Sequence, residues 1–344
     1  MADSILDETY DRLRDSGPER DGWLSNHAPM AVEVLVRHGH ADAVPGWLES
    51  YADRLEIRPR GIAAIARDEW RDPLGDPTRT GDWLDYFVRE LAGDPWREVL
   101  TRWWPRLLPG IAAGATHGVI RVGHAVRALL DAESPARVAE LGAGLAYWAA
   151  RWQPLAPPGV GPYRGVDPRS ALDAVPRVPD QRFGIRARLA QLADLDGWPS
   201  AAGAVPDGEA ETVSARLAAI VGAAVARYAT HGYGNPVMLV HAATAPNAVL
   251  RVLPALPTAL WQPSLQAAWA ATAAVTAAYG PAEARPTDPP RPLPDLAQLV
   301  ERAVRTGDPH AIKFADTAID AYARRAEDTL LVAALYAVDR LGDG

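Results

Sequence analysis

Helical periodicity runs through most of this 344-residue chain, and proline and glycine interrupt it at short intervals. Apolar residues recur three and four positions apart in Ala-, Leu- and Arg-rich runs, which is the pattern of helices with one buried face. β-Branched residues almost never alternate with polar ones over five or more positions, so half-buried strands are not expected. The pattern therefore predicts an all-α fold.

Proline and glycine divide the helical pattern into separate segments. Helices are predicted over residues 2–15, 29–38, 42–55, 82–92, 97–107, 117–131, 135–152, 184–194, 212–229, 236–253, 263–278, 294–305 and 309–341. Residues 153–180 and 281–293 are rich in proline and are expected to be long surface connections. Neither is long enough to establish a domain boundary, and no repeat of fixed period occurs. The chain is expected to be one large helical domain over residues 1–344.

Composition excludes several classes of protein. The net charge of −8 provides no basic stripe for a phosphate backbone, so nucleic-acid binding is not expected. The absence of cysteine removes disulfides, thiolate metal sites, iron–sulfur clusters and cysteine nucleophiles. The hydrophobic fraction of 48% is nevertheless enough for a sizeable core.

The N-terminus and the uncharged stretches indicate a cytoplasmic protein. Residues 1–17 are acidic and amphipathic, without the basic and apolar regions of a secretory signal. No charged residue lies between Arg227 and Arg251, or between Arg251 and Glu283. These stretches contain Ala, Thr, Gly, Pro, Asn and Gln rather than about 20 strongly apolar residues. They are expected to be central helices of a soluble protein, with no membrane contact.

One glycine motif suggests a nucleotide site. The segment ELGAG, from Glu140 to Gly144, resembles the first motif of S-adenosylmethionine methyltransferases and, loosely, a dinucleotide-binding pattern. Either use requires a strand before the glycines. Ser134-Pro135 is instead a helix-start signal, and the residues after Gly144 continue the helical pattern. Close helix packing at small residues is the preferred interpretation.

Four of the eight histidines lie near predicted helix starts. Three are predicted to lie in a first helical turn behind an N-cap: His27 after Ser25-Asn26, His117 after Thr116, and His310 after Asp308-Pro309. The fourth, His241, lies in the helix that begins at Asn235-Pro236. The partial positive charge of a helix N-terminus disfavours imidazolium, and neutral imidazole is the form that binds metal ions. The four could converge on one ion; the alternative is that each is an ordinary capping or core histidine.

Lys313 is the only lysine, whereas all 34 other basic residues are arginine. It follows His310 by three positions, so the amine and the imidazole share one helix face. Burial and a helix N-terminus both lower the pKa of a lysine. The amine could then act as a base, or react with carbon dioxide to give a carbamate, an anionic oxygen ligand that arginine cannot supply. A salt bridge to Asp316 or Asp320 is the ordinary alternative.

A second helix face carries His117, Arg121 and His124, at spacings i, i+4 and i+7. Arg121 and His124 are therefore expected to point into the same cavity as His117. Arg121 is predicted to have a catalytic role, in which it orients an anionic oxygen of a substrate. His124 and His231 are predicted to share this role.

Four short blocks resemble the spaced motifs of the questin oxidase-like family. They are Asn26-His27, THGVIRVGH at 116–124, LVHAAT at 239–244 and HAIK at 310–313. Their order and joint presence carry a resemblance that spans residues 20–325. Fungal members of this family oxidise polyketide anthraquinones and open a ring. The chain departs from the fungal pattern because Arg121 replaces a histidine and His124 replaces a tyrosine-like position.

The resemblance implies non-heme iron (Fe2+) held by histidines and a modified lysine. The ligands it implies are His27, His117, His241, His310 and Lys313, the last as a carbamate. The expected function is an iron-dependent oxygenase that uses dioxygen on an aromatic or polyketide-derived small molecule in natural-product biosynthesis. The sequence has no flavin or nicotinamide fingerprint, so a metal is the expected source of oxidising power.

Two other functions fit the same residues. Zinc with a carbamylated Lys313 would activate water in a hydrolase, and a non-catalytic helical ligand-binding protein would use its histidines structurally. The metal content of the purified protein distinguishes these cases, because they predict iron, zinc and no stoichiometric metal.

Overall fold

Helices make up 70% of the structure and strands only 3%, which confirms the all-α prediction. The structure is a computed structural model, and it describes residues 2–22, 24–158, 166–205, 210–288 and 292–342. The chain divides into two compact units. Unit 1 comprises residues 1–154 and 251–257, and unit 2 comprises residues 155–250 and 258–344. A single domain over residues 1–344 stays a prediction.

In the part of unit 1 that the structure describes, seven α-helices and a small sheet form the framework. The helices are α1 (Ala2–Leu13), α2 (Ala28–Arg37), α3 (Val44–Ala52), α4 (Thr80–Gly93), α5 (Trp96–Leu107), α6 (His117–Asp131) and α7 (Pro135–Ala150). The strands are β1 (Ser16–Arg20), β2 (Leu24–Ser25) and β3 (Leu55–Ile57), with β1 antiparallel to both others. The sequence pattern did not predict this sheet, because its strands are too short to show an alternation.

Close packing of α7 against α6 and α4 forms the centre of unit 1. Helix α7 is unbroken, and its N-cap is Ser134, whose hydroxyl accepts a hydrogen bond from the amide of Arg137. The glycines of ELGAG therefore lie inside a helix. Gly144 approaches Val122 of α6 closely, and a Cβ on Gly142 would lie only 2.8 Å from Cδ1 of Leu91 on α4. The prediction that these glycines serve helix packing is confirmed.

A cluster of aromatic side chains fills the neighbouring part of the unit 1 core. Trp83 and Trp103 are fully buried and pack edge to face, with ring centroids 5.4 Å apart. Phe87 adds a second tilted contact to Trp103 at 4.9 Å. Because large aromatic rings bury about 150–250 Å² each, they dominate the energetics of such a core.

Unit 2 contains the remaining helices. They are α8 (Pro168–Asp173), α9 (Ile185–Ala190), α10 (Trp198–Ala202), α11 (Ala210–His231), α12 (Pro236–Val252, of which residues 251–252 belong to unit 1), α13 (Trp261–Tyr279), α14 (Leu296–Thr306), α15 (Pro309–Arg324) and α16 (Asp328–Gly342). Helix α11 packs on α13, α15 and α16, and α15 packs along α16.

Three helix predictions in unit 2 need correction. The predicted single helix over residues 309–341 is two helices, because Arg325 is extended with φ −149° and ψ 104°. The short helices α8 and α10 were not predicted, since α8 lies in the proline-rich stretch 153–180 and α10 has only five residues. The proline-rich connections at 153–180 and 281–293 fall partly outside the described residues.

Among the described residues, the segment Pro236–Ala255 is long and apolar enough to cross a membrane by length and composition. However, 78% of its most apolar stretch of 18 residues is buried inside the protein. Such burial is typical of a core helix and favours that interpretation.

Candidate functional site

His27 and His117 lie side by side in unit 1. Their Nε2 atoms are 2.8 Å apart, and the two rings meet edge to face with centroids separated by 4.6 Å. Both side chains are buried. The Nδ1 of His117 donates a hydrogen bond to the carbonyl oxygen of Gly114 at 2.7 Å. This bond places the ring proton on Nδ1, so in the neutral ring Nε2 is the nitrogen with a free lone pair.

The small sheet positions His27. Asn26 donates from its backbone amide to the carbonyl of Pro18 and from its side chain to the carbonyl of Gly17. Its Oδ1 accepts a hydrogen bond at 2.9 Å from the amide of Ala28, the first residue of α2, while His27 occupies the N-cap position. The backbone amide of His27 donates to the hydroxyl of Tyr51 at 3.0 Å. His27 is therefore held on both sides by contacts to distant parts of the chain.

A left-handed turn positions His117. Gly114, Ala115 and Thr116 have φ values of 55°, 57° and 64°, a conformation that is strained for the two non-glycine residues. Thr116 was predicted to cap α6 with its side chain. In the structure it occupies the N-cap position but makes no capping bond, and its buried Oγ1 has no hydrogen-bond partner among the described residues. Such strain is often found at functional sites.

Gly114→Ala is expected to lower the free energy of unfolding by about 1–3 kcal/mol. The reason is twofold: the residue has a left-handed φ, and an added Cβ would lie 2.7 Å from the Tyr147 hydroxyl. Urea unfolding measures the change. Gly307→Ala is the matched control, since Gly307 is also left-handed but a Cβ there would meet nothing within 4 Å. Equal losses in the two variants would show that Tyr147 does not constrain this turn.

His241, His310 and Lys313 lie together in unit 2. The rings of His241 and His310 have centroids 5.5 Å apart, and His241 and Lys313 are fully buried. The Nδ1 of His241 donates to the carbonyl of Met238 at 3.2 Å, which again leaves Nε2 for a ligand. Burial lowers the pKa of His241 far below its ordinary value, and the nearby charges of Lys313 and His310 lower it further. His241 is therefore neutral, as the sequence predicts.

The start of α15 positions the other two side chains. Oδ1 of Asp308 accepts hydrogen bonds from the amides of His310 and Ala311, at 2.8 and 3.0 Å. This confirms the predicted N-cap. The same Oδ1 lies 3.5 Å from Nδ1 of His310, in the arrangement by which a carboxylate orients a metal-binding imidazole. Lys313 follows one turn later, at 0% exposure.

Each of the two clusters, taken by itself, offers nitrogen donors of the kind that bind divalent first-row metal ions. Each offers a buried pair of imidazoles, and the Nδ1 of His117 and of His241 is directed to a backbone carbonyl. Imidazole nitrogen suits iron, zinc and copper. The structure thus pairs His27 with His117, and His241 with His310 and Lys313.

Arg121 forms a buried, two-point ion pair with Glu140. Its Nε and Nη2 donate to the two carboxylate oxygens at 2.5 and 2.7 Å, and Arg121 is only 4% exposed. This partner was not predicted. The signal available in the sequence is that Glu140 is a carboxylate within a run of small and apolar residues on α7.

His124 lies within a buried charge network. Its Nδ1 donates to Glu33 at 2.8 Å, and Nε2 accepts a long hydrogen bond of 3.4 Å from Arg251. Arg127 forms a two-point ion pair with the same carboxylate. Glu33 was also missed, although it stands alone in the apolar run MAVEVLV of α2.

His231 is the last residue of α11 and is only half-buried. Its Nδ1 lies 2.8 Å from the hydroxyl of Thr230. Burial lowers the pKa of His231, and the charge of Arg227 adds to this effect. Its predicted contact with a substrate stays a prediction.

The unfolding free energy is expected to fall by about 2 kcal/mol between pH 7 and pH 5 because of His124. Burial lowers the pKa of His124 to about 4, from an ordinary value of 6.5. As the pH falls below 6.5, the unfolded chain takes up this proton while the folded protein does not, so stability is lost. Burial would raise the pKa of Glu33, but Arg127 and His124 lower it to about 2, so its contribution is lost only below about pH 4.5.

Urea unfolding of the wild type and of His124→Gln, at matched metal content, checks this pH dependence. The glutamine amide can still donate to Glu33 but does not titrate in this range. Between pH 7 and pH 5, the unfolding free energy of the variant should fall by about 2 kcal/mol less than that of the wild type. The same dependence of unfolding free energy on pH in the two proteins would contradict the assignment to His124.

A search of curated proteins finds no match to this chain. The family model described as Questin oxidase-like matches residues 41–159. This range contains the block at 116–124, and with it His117, Arg121 and His124. The blocks that contain His27, His241 and His310 lie outside the matched range. The resemblance indicated by the sequence motifs is thus confirmed over residues 41–159, where the chain is similar to the questin oxidase-like family.

Proposed function

We propose that the chain is a non-heme iron-dependent oxygenase that acts on an aromatic or polyketide-derived small molecule. The family match implies an oxidoreductase of natural-product metabolism. The observation that carries the metal dependence is the approach of the Nε2 atoms of His27 and His117 to 2.8 Å in a buried environment. Two buried imidazoles that face each other in this way are a ready pair of ligands.

The proposed ligands are His27, His117, His241 and His310, with Lys313 as a carbamate. Iron(II) would supply the redox chemistry that these side chains lack. The carbonyls of Gly114 and Met238 hold the Nδ1 protons of His117 and His241, and so keep both Nε2 atoms unprotonated. Burial of these groups excludes bulk water from them.

The proposed substrate contacts are those of Arg121, His124 and His231. Arg121 has one terminal nitrogen that is not used by Glu140, and this nitrogen can donate to a substrate oxygen. Both ring nitrogens of His124 already have protein partners, so a direct substrate contact would require His124 to give up Arg251 or Glu33. His124 is therefore proposed chiefly as a positioning residue.

Metal analysis of the purified protein, followed by oxygen-uptake assays, tests the proposal. We expect one iron per chain and oxygen uptake that depends on an added hydroxyanthraquinone. Stoichiometric zinc, with no oxygen uptake, would favour the metal-dependent hydrolase in its place. The absence of any stoichiometric metal would favour a helical ligand-binding protein and would end the oxygenase proposal.

A further inference from the structure

Residues 57–67 of unit 1 combine exposed apolar side chains with a local excess of positive charge. Their sequence, IRPRGIAAIAR, has three arginines and no acidic residue, in a chain of net charge −8. Ile57 is 89% exposed and Ile62 is 74% exposed, the highest values among the large apolar side chains that the structure describes. A single exposed isoleucine is ordinary, but a group of exposed apolar side chains indicates an interaction surface.

Helix α4 holds this segment in place. The carboxylate of Asp82 accepts hydrogen bonds from the amides of Ile62 and Ala63, at 2.5 and 2.9 Å. Arg89 donates to the carbonyl of Ile65 at 3.2 Å. The backbone of the segment is therefore bound to α4, while the side chain of Ile62 is exposed to solvent.

Val88 extends the apolar surface along α4. It is 56% exposed and follows Asp85 by three positions, and the carboxylate of Asp85 lies 3.3 Å from Nη2 of Arg58. Val88 and Arg58 also line the same depression in the surface of unit 1. Ile57 is adjacent to Arg58, and the Cα atoms of Ile57 and Ile62 can be at most about 18 Å apart. The three apolar side chains thus belong to one small area of the surface.

Two arginines of this area have no carboxylate partner. The two aspartates of α4 in this area each pair with an arginine. Arg60 and Arg89 are exposed, and neither forms an ion pair with a residue that the structure describes. Glu56, the nearest acidic residue in the sequence, accepts a hydrogen bond from the amide of Gly22. A guanidinium group binds phosphate through two parallel hydrogen bonds, so the area is matched by a surface that carries phosphate groups.

The apolar area favours a lipid bilayer over a protein as the partner. A stable protein interface buries about 800 Å² on each partner, and three aliphatic side chains among charged residues do not supply a continuous area of that kind. A bilayer needs no shape complementarity, because separate apolar side chains can enter its interface while neighbouring arginines stay at the headgroups. Anionic headgroups provide the opposite charge.

We propose that Ile57, Ile62 and Val88, together with Arg60 and Arg89, attach the protein to the surface of anionic lipid membranes. The apolar side chains enter the bilayer interface, and the two arginines bind lipid phosphates. The prediction of no membrane contact rested on the absence of a spanning helix, and a peripheral contact does not need one. This attachment goes beyond the proposed oxygenase function and requires no metal ion.

Flotation with lipid vesicles tests the attachment. We expect the protein to bind vesicles of phosphatidylglycerol and phosphatidylcholine in equal parts about ten-fold more tightly than vesicles of phosphatidylcholine alone, and high salt should reduce this preference. Arg60→Gln/Arg89→Gln should remove most of the preference, because it removes both unpaired charges. Absence of binding to the mixed vesicles, or an unchanged preference in this double variant, would overturn the proposal.

The apolar contribution is tested with Ile57→Ser/Ile62→Ser, which should bind the mixed vesicles about ten-fold more weakly or worse. Phe183→Ser is the matched control, since Phe183 is 60% exposed in unit 2 and also has an arginine, Arg182, over its ring. The control should bind as the wild type does. Equal weakening in the control and the double variant would overturn the assignment to this surface.

The absence of cysteine permits a direct test of contact with lipid. Ile62→Cys carries one thiol, and a nitrobenzoxadiazole label attached there should become brighter and shift to the blue when mixed vesicles are added. The same label on Leu130→Cys, at a side chain of α6 that is 37% exposed, should not respond. A response to soluble polyglutamate and none to vesicles would overturn the proposal in favour of an acidic protein partner. Iron content and oxygen uptake are measured separately, so failure of the oxygenase proposal is a separate result.

Discussion

Replacement of Lys313 by arginine is expected to abolish both iron binding and turnover, while the helical content stays near that of the wild type. Lys313 is fully buried, follows His310 by one helical turn, and lies near His241. The variant retains the positive charge. A guanidinium with a pKa above about 12, however, can neither lose its proton nor form a carbamate.

The alternative for Lys313 is an ordinary salt bridge to Asp316 or Asp320. Asp320 accepts a hydrogen bond from Asn247 at 3.0 Å, and Asp316 is 1% exposed. If Lys313 only neutralises a carboxylate, arginine should substitute for it with near-normal activity. Retention of both iron and turnover in Lys313→Arg would therefore reject the ligand role.

Arginine is larger than lysine, so a second variant and a direct measurement keep this prediction testable. Lys313→Met fills a similar volume without an amine and should also lose iron. Carbon-13-labelled bicarbonate should give a carbamate signal in the NMR spectrum of the wild type and none in either variant. It should also improve iron loading of the wild type alone. Circular dichroism confirms that each variant is folded.

Local signals in the sequence located most helix starts. Ser134-Pro135 and Asp308-Pro309 are predicted caps, and each helix begins where they predict. Capping bonds join residues two or three positions apart, so they can be read from the sequence. The break at 325–327 could not be predicted, because it contains neither proline nor glycine, and the packing of α15 along α16 accompanies it. The sheet was missed because β1 pairs with β3 some 40 residues later.

The same distinction holds for the candidate site. In His117 and in His241, Nδ1 donates a hydrogen bond to the carbonyl three residues earlier. This contact is local in sequence, and the position of each histidine near a helix start already suggests it. By contrast, Arg121 meets Glu140 across 19 residues, and His124 meets Glu33 across 91. Spacing along one helix predicted that Arg121 and His124 share a face, but it contained no information on their partners. The left-handed conformation of Ala115 and Thr116 was equally hidden, since only Gly114 carries a sequence signal for it.

Alanine at His27 or His117 is expected to remove essentially all bound metal and to abolish turnover. The Nε2 atoms of these residues face each other at 2.8 Å, so either substitution leaves half of this ligand pair. Structural metal affinities rest on complete ligand sets, and loss of one imidazole weakens binding by orders of magnitude. Metal content is measured by elemental analysis, and far-UV circular dichroism should be nearly unchanged.

The variants His241→Ala and His310→Ala extend this prediction to unit 2, and the number of ions per chain decides how the two pairs are used. The sequence prediction of a single ion requires one metal per wild-type chain and none in any of the four variants. His38→Ala and His40→Ala are matched controls, because these half-buried histidines of unit 1 are not predicted ligands. If the wild type holds two ions and each variant keeps one, each pair binds its own ion. If His27→Ala and His117→Ala stay fully loaded, their close approach has a structural role instead.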